Sequence, residues 1–202
     1  MTHRTPPRRP AMWEPTYLDR VEGGVDPEAA FTAAYESARV LVSYGRDTQD
    51  PDVHARLMRL VETEGIEIVA NLWAHTSAAS LPGALWRLYV VREWIVRSDA
   101  EVARLYNRGL EASEVNHAVA GVPPLHGPDE VRATIDQIFG GVFTGDIDVA
   151  FDRSAALIRV VLAGADDRTE GIDRDKLETT ASDLELAAHR HRAGVLLQGE
   201  ES

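Results

Sequence analysis

The chain has 202 residues, of which 44% are hydrophobic and 27% are charged, a composition typical of one globular domain. Its formal net charge of -12 repels phosphate backbones and anionic lipids, so neither nucleic acid nor a membrane surface is an expected partner. The chain contains no cysteine, which excludes disulfides and thiolate chemistry and fits a cytoplasmic location.

The N-terminal stretch MTHRTPPRRP is polar, basic and rich in proline. Such a composition buries too little apolar surface to fold, so we predict a flexible arm over residues 1–12. Trp13 and Tyr17 are expected to anchor this arm to a single domain over residues 13–198. No apolar stretch follows the paired arginines, so an export signal is not expected.

Three helices are predicted in the first 80 residues. The Asp-Pro pairs at 26–27 and 50–51 are typical helix starts, and we predict that these two helices end near Gly45 and Gly65. A third helix is predicted over residues 66–78. The buried face of the second helix is expected to consist of apolar residues at helical spacing, namely Val53, Leu57, Leu60 and Val61.

The next segment, LPGALWRLYVVREWIV at residues 81–96, is apolar on every side of a helical wheel. This pattern is typical of a buried helix, so we predict that a central helix near residues 81–97 begins at the N-cap Ser80. The segment is too short and too often interrupted by charge to span a bilayer. We predict that helical structure continues beyond Ser98 and ends at Gly109.

A long loop is predicted over residues 119–128, because GVPPLHGP contains three prolines and two glycines. Helical periodicity then predicts three more helices, over residues 128–139, 146–162 and 173–197. No alternating strand pattern persists beyond a few residues. The sequence therefore predicts an all-α, single-domain bundle of about six to eight helices.

The central helix carries three charged residues among large apolar ones, Arg87, Arg92 and Glu93. Buried charges have to be paired inside the protein or exposed in a cleft. Glu93 and Arg97 are predicted to pair at i,i+4, whereas Arg92 and Glu93 project about 100° apart and are predicted to serve different partners. His75 is expected to meet Glu93 if helices 66–78 and 81–97 are antiparallel.

These five residues are the candidates for a small-molecule site between the two helices, and their arginines would suit an anionic ligand. A structural network of ion pairs is the favoured alternative, since breaking pairs inside a core is costly. No catalytic residue is predicted, because the chain has neither a phosphate-binding loop nor a nucleophile elbow. The sequence thus favours a non-enzymatic protein without a cofactor.

The residues Glu111, Glu114 and His117 have the Glu-x-x-His spacing of di-iron helical bundles. Those bundles need the motif twice, whereas Glu185 and His189 are spaced i,i+4, so a solvated helix face is favoured and no metal is expected.

Three aspartates precede or begin the 146–162 helix, and we interpret them as acids that favour a helix N-terminus rather than as a cation site. They are Asp146, Asp148 and Asp152. The basic residues at the end of the 173–197 helix similarly suit the negative end of the helix dipole, and His191 is expected to be partly buried.

Residues 80–110, SLPGALWRLYVVREWIVRSDAEVARLYNRGL, are similar to a small all-helical family of high-GC Gram-positive bacteria. Members of that family are sometimes labelled as related to the RNA polymerase beta subunit, and the resemblance implies a regulatory, protein-binding role. We therefore expect a non-enzymatic interaction or regulatory domain that binds a protein partner or associates with itself. The alternative is a small-molecule-binding protein or enzyme that uses the charged residues of the central helix.

Overall fold

The computed structural model describes residues 26–43, 51–117, 126–166, 169 and 172–196, with residues 51 and 113–117 described by their backbone only. These residues form eight α-helices and no strand, which confirms the predicted all-α class. The helices are α1 (Pro27–Val42), α2 (Pro51–Glu64), α3 (Ile66–Trp73), α4 (Leu81–Arg97), α5 (Asp99–His117), α6 (Pro128–Phe139), α7 (Ile147–Gly164) and α8 (Arg174–Arg192). The predicted arm over residues 1–12 and most of the predicted loop over residues 119–128 lie outside the described residues.

Local sequence signals position several helix starts as predicted. Asp26 Oδ1 accepts a hydrogen bond from the backbone N–H of Glu28, and Ser80 Oγ accepts one from the N–H of Gly83 at 3.2 Å. Each side chain thereby satisfies a donor that the first helical turn leaves free. None of the eight helices is long and apolar enough to cross a membrane.

Two predicted helices are shorter than expected. The third ends at Trp73 rather than near residue 78, because hydroxyl groups in the following turns hydrogen-bond to backbone carbonyls: Thr76 Oγ1 donates to Trp73 O and Ser80 Oγ to Ser77 O, each at 2.7 Å. The last helix ends at Arg192, where the chain turns through Gly194 at a φ of 76°.

Helix α4 occupies the centre of the bundle, as predicted, and packs against α1, α3, α5, α6, α7 and α8. Its buried side chains include Leu85, Leu88 and Ile95. Helix α7 is even more enclosed, because α5 and α8 pack along it and twelve of its 18 residues are buried. The core is therefore built around two helices, α4 and α7, whereas the sequence predicts α4 as the central one.

Gly109 does not end a helix, contrary to the prediction, but lies within α5 where it crosses α7. A Cβ atom at this position would overlap the backbone carbonyl oxygen of Val160. Gly164 on α7 fills the reciprocal position, because a Cβ there would overlap Leu105 O and lie 2.7 Å from Gly109 N. The two glycines thus permit the backbones of α5 and α7 to come into contact.

Candidate functional site

The charged residues at the end of α4 form a continuous ladder of ion pairs with α6. Arg92 donates from Nε to Asp136 Oδ1 at 2.5 Å and from Nη1 to Glu93 Oε1 at 2.7 Å. Arg97 Nη2 donates to Glu93 Oε2 at 3.1 Å, as predicted for this i,i+4 pair. Arg92 and Glu93 do have different partners, Asp136 and Arg97, but they also pair with each other, which the prediction did not include. The long guanidinium side chain of Arg92 uses separate nitrogens to reach both carboxylates.

Arg87 and His75, the other two candidate residues, lie apart from this ladder. Arg87 donates from Nε to Asp183 Oδ2 at 2.7 Å and from Nη1 to Gly83 O at 2.9 Å, so it joins α4 to α8. His75 is exposed in the turn after α3 and forms no ion pair with Glu93 or with any other described residue. The five candidates are therefore divided among three locations.

Tyr89 lies beside the ladder and is almost completely buried. Burial raises the pKa of its hydroxyl to about 12, with a further contribution from the negative charges of Glu93 and Glu67. Burial opposes the charge of Arg92, but its hydrogen bonds to Asp136 and Glu93 outweigh that effect and raise the pKa of the guanidinium. The electrostatics of this region thus favour paired charges and a neutral phenol.

The ladder contains two guanidinium groups and two carboxylates, so its formal charges cancel. An anionic ligand would have to displace Asp136 or Glu93 from Arg92 before it could bind there. Arg92 and Glu93 are also only partly exposed, at 27% and 20% of their side chains, so breaking their contacts would leave charge in a partly desolvated place. This geometry favours a structural role for the ladder over a ligand site.

A second ion-pair cluster joins the start of α7 to the end of α8. Asp148 is buried, and its carboxylate lies 3.4 Å from His191 Nδ1 and 3.2 Å from Arg192 Nη1. Arg192 Nη1 also donates to Asp152 Oδ2 at 2.6 Å. The interpretation of Asp148 and Asp152 as residues that merely favour a helix start is therefore incomplete, since both pair with the neighbouring helix.

The sequence contained a signal for this cluster that periodicity could have revealed. Asp148 and Asp152 are spaced i,i+4 on a helix whose other residues are mainly apolar, so their shared face needs basic partners from another helix. The partly buried state expected for His191 agrees with its position, where 15% of the side chain is exposed. The partners come from α8 because α8 packs along α7, and this packing is not visible in the local sequence.

The residues considered for metal binding do not come together in the described part of the chain. Arg159 engages Glu185 through two hydrogen bonds, from Nε at 2.7 Å and from Nη2 at 2.8 Å, and reaches Glu178 through Nη1. Glu111 is exposed, whereas the side chains of Glu114 and His117 lie outside the described residues. No cluster of three or more potential metal ligands occurs among the described side chains.

Helix α2 presents an exposed apolar face that the sequence assigned to the core. None of its described side chains is fully buried, whereas each of the other seven helices buries at least three. Leu57 and Val61 pack partly against the core as predicted, but Val53 and Leu60 remain 42% and 40% exposed. The predicted buried face is therefore wrong for these two residues, because α1 and α3 cover only one side of the apolar stripe.

Comparison with known protein families, characterised proteins and solved structures finds no significant match to this chain. The resemblance of residues 80–110 to a family of high-GC Gram-positive bacteria therefore stays a prediction.

Proposed function

We propose that this protein is a non-enzymatic, cytoplasmic protein-interaction domain and that α2 provides its contact surface. The observation that carries the proposal is that α2, alone among the eight described helices, buries no described side chain although it has an apolar stripe. An amphipathic helix of 14 residues gains most of its stability from packing of that stripe. A partner seated on α2 would cover the part of the stripe that α1 and α3 leave open.

The paired charges support the same proposal, because the arginines of α4 are engaged within the protein. Arg87 is paired with Asp183, and Arg92 with Asp136 and Glu93. A catalytic or anion-binding site generally needs charged groups that point into a cleft and are free to meet a substrate. The apolar face of α2 is therefore the better candidate for a functional surface.

The contribution of this face to binding follows from its exposure. Complete burial of a valine or leucine side chain is worth about 1.5–3 kcal/mol, so burial of the two-fifths of Val53 and Leu60 that remains exposed should add about 1 kcal/mol each. Loss of both contributions weakens a complex roughly 30-fold, since about 1.4 kcal/mol corresponds to a factor of ten. An aspartate at each position should weaken it further, because a partner would have to desolvate the new charge.

The test compares the full chain with its Val53→Asp/Leu60→Asp variant in affinity capture from a lysate of the native organism. The matched control is Val149→Asp/Leu186→Asp, which places the same charges at apolar residues of α7 and α8 that are 38% and 44% exposed. We expect mass spectrometry to identify a protein that the native chain and the control retain but the α2 variant loses. Purified, this protein should bind the native chain at least about 30-fold more tightly than the α2 variant.

Both variants should first show cooperative melting, so that unfolding is not mistaken for loss of the surface. If the folded α2 variant captures the same proteins with the same affinity as the native chain, α2 is not the contact surface and the proposal is wrong.

A further inference from the structure

The exposed sector of α2 combines apolar and charged residues in an arrangement that is complementary to itself. At 100° per residue, Val53, Arg56, Leu60 and Glu64 fall within about 80° of one another on the helix. All four are exposed. Arg56 and Glu64 lie four residues before and four residues after Leu60, so opposite charges flank the leucine at equal distances of about 6 Å along the axis.

Neither charge is neutralised within the described protein. Arg56 and Glu64 form no ion pair or side-chain hydrogen bond with a described residue, in contrast to Arg87, Arg92 and Arg159. The two residues are eight positions apart on α2, which is too far for an ion pair along one helix. Both charges are therefore solvated in the described structure and are available to pair with opposite charges on another molecule.

We propose that two copies of this chain pair through α2, with the helices antiparallel and a twofold axis that passes near Leu60. In this arrangement Leu60 meets Leu60 of the second copy, and Arg56 of each copy faces Glu64 of the other. Such an interface is isologous, because one patch serves both sides. The proposal rests on the proposed function and names the partner of the α2 surface as a second copy of the same chain.

Symmetry favours a second copy over an unrelated protein as the occupant. A heterologous partner needs only some apolar residues and suitable charges, with no reason for them to be equidistant from a central leucine. An antiparallel pair requires this placement, because residues at i-4 and i+4 around the axis face each other. Two helices of 14 residues bury less than the ~800 Å² per partner of a standard interface, so we expect a reversible dimer with a dissociation constant in the micromolar range.

Charge reversal tests this arrangement by sedimentation velocity of the full chain over a range of concentrations. Arg56→Glu places like charges at both contacts of the homodimer, and Glu64→Arg does the same with the opposite sign. Each variant alone should associate at least about tenfold more weakly than the native chain. An equimolar mixture of the two should form a heterodimer, because both of its contacts again join opposite charges.

Two further variants separate pairing from folding. Arg56→Glu/Glu64→Arg keeps the composition of the chain and should restore the homodimer, whereas Arg59→Glu is a matched control on the same helix that lies outside the sector and should dimerise like the native chain. A native chain that stays monomeric at every soluble concentration overturns the proposal. The proposal is also wrong if either single charge reversal dimerises like the native chain. It is equally wrong if neither the mixture of the two single variants nor the double variant recovers dimerisation.

This experiment fails separately from the one that tests the proposed function. If the native chain is monomeric but Val53→Asp/Leu60→Asp still abolishes capture of another protein, self-pairing is wrong and the interaction role of α2 stands. If that variant changes neither self-association nor capture, both proposals are wrong.

Discussion

The contact between α5 and α7 provides the sharpest test of the packing, because helix propensity and steric fit predict opposite effects. We expect Gly109→Ala to destabilise the protein. Alanine is more favourable than glycine inside a helix by about 1 kcal/mol, so propensity alone predicts stabilisation. The new methyl group would, however, overlap Val160 O, and a backbone oxygen inside a helix cannot rotate away from it.

The magnitude follows from the need to separate the two helices. Overpacking of a close-packed interior costs about 1–3 kcal/mol, and a clash with backbone belongs at the upper end of that range. After the propensity gain, a net loss of about 1–2 kcal/mol remains. For a chain of this length, roughly 2–4 °C accompanies each kcal/mol, so the melting temperature should fall by about 2 to 8 °C.

The assay is urea unfolding followed by circular dichroism, with a lower midpoint and an unchanged slope as the expected result. Gly127→Ala is a control without a clash, since a Cβ there would lie 3.9 Å from the nearest atom of Tyr106; because Gly127 is the N-cap of α6, where alanine is less favourable, it should cost less than about 1 kcal/mol. Gly164→Ala should behave like Gly109→Ala, and the double variant should cost less than the sum, because one displacement of the helices relieves both clashes. A Gly109→Ala protein that is as stable as the native chain, or more stable, would refute this account of the crossing.

Three further predictions concern the charged and titratable groups. Burial raises the pKa of Tyr89 to about 12 from the usual 10, so its contribution to stability is complete below pH 10 and is lost as the pH rises toward 12. Tyr89→Phe should therefore reduce the fall of the melting temperature between pH 10 and pH 12. An unchanged fall in the variant would contradict the assignment. Asp148→Asn should cost about 1–3 kcal/mol in chemical unfolding, because it weakens the pairing of a buried carboxylate. Asp152→Asn should cost less than about 1 kcal/mol, because 43% of this side chain is exposed. Equal effects of the two substitutions would argue against the buried cluster. Arg92→Met should destabilise the protein more than Arg97→Met, because of these two arginines only Arg92 pairs with a residue of α6. A double-mutant cycle of Arg92→Met with Asp136→Asn should show a coupling energy above about 0.5 kcal/mol. The absence of coupling would mean that the ladder does not join the two helices in solution.

The helix starts were predictable because their signals are local. Asp26 and Ser80 hydrogen-bond to backbone groups two or three residues away, so the sequence contains all the information needed. The α6 helix was predicted with its observed bounds because Pro128 begins it and glycine follows it. The role of Gly109 was not predictable in this way, because a glycine that ends a helix and one that permits a helix crossing look the same in sequence.

In the candidate site, too, the local contact was predictable and the contacts between distant helices were not. Glu93 and Arg97 were predicted to pair because i,i+4 spacing alone brings them together. Arg92 with Asp136 and Arg87 with Asp183 are 44 and 96 residues apart, so their pairing depends on which helices pack against α4. Periodicity identifies such side chains as charges in an apolar setting, but the tertiary structure determines their partners.

On the peripheral helix α2, only part of a broad apolar stripe packs against the core. Val53, Leu57, Leu60 and Val61 span about 100° of the helix, and the sequence assigned this whole arc to the core. The described structure divides it, because Leu57 and Val61 pack partly against the core while Val53 and Leu60 face away from it. The part of the arc that lies outside the intramolecular contact is the surface that we propose for a partner. Since Arg56 and Glu64 lie at equal distances before and after Leu60, the surface that would cover this leucine most simply is the same surface on another copy of the chain.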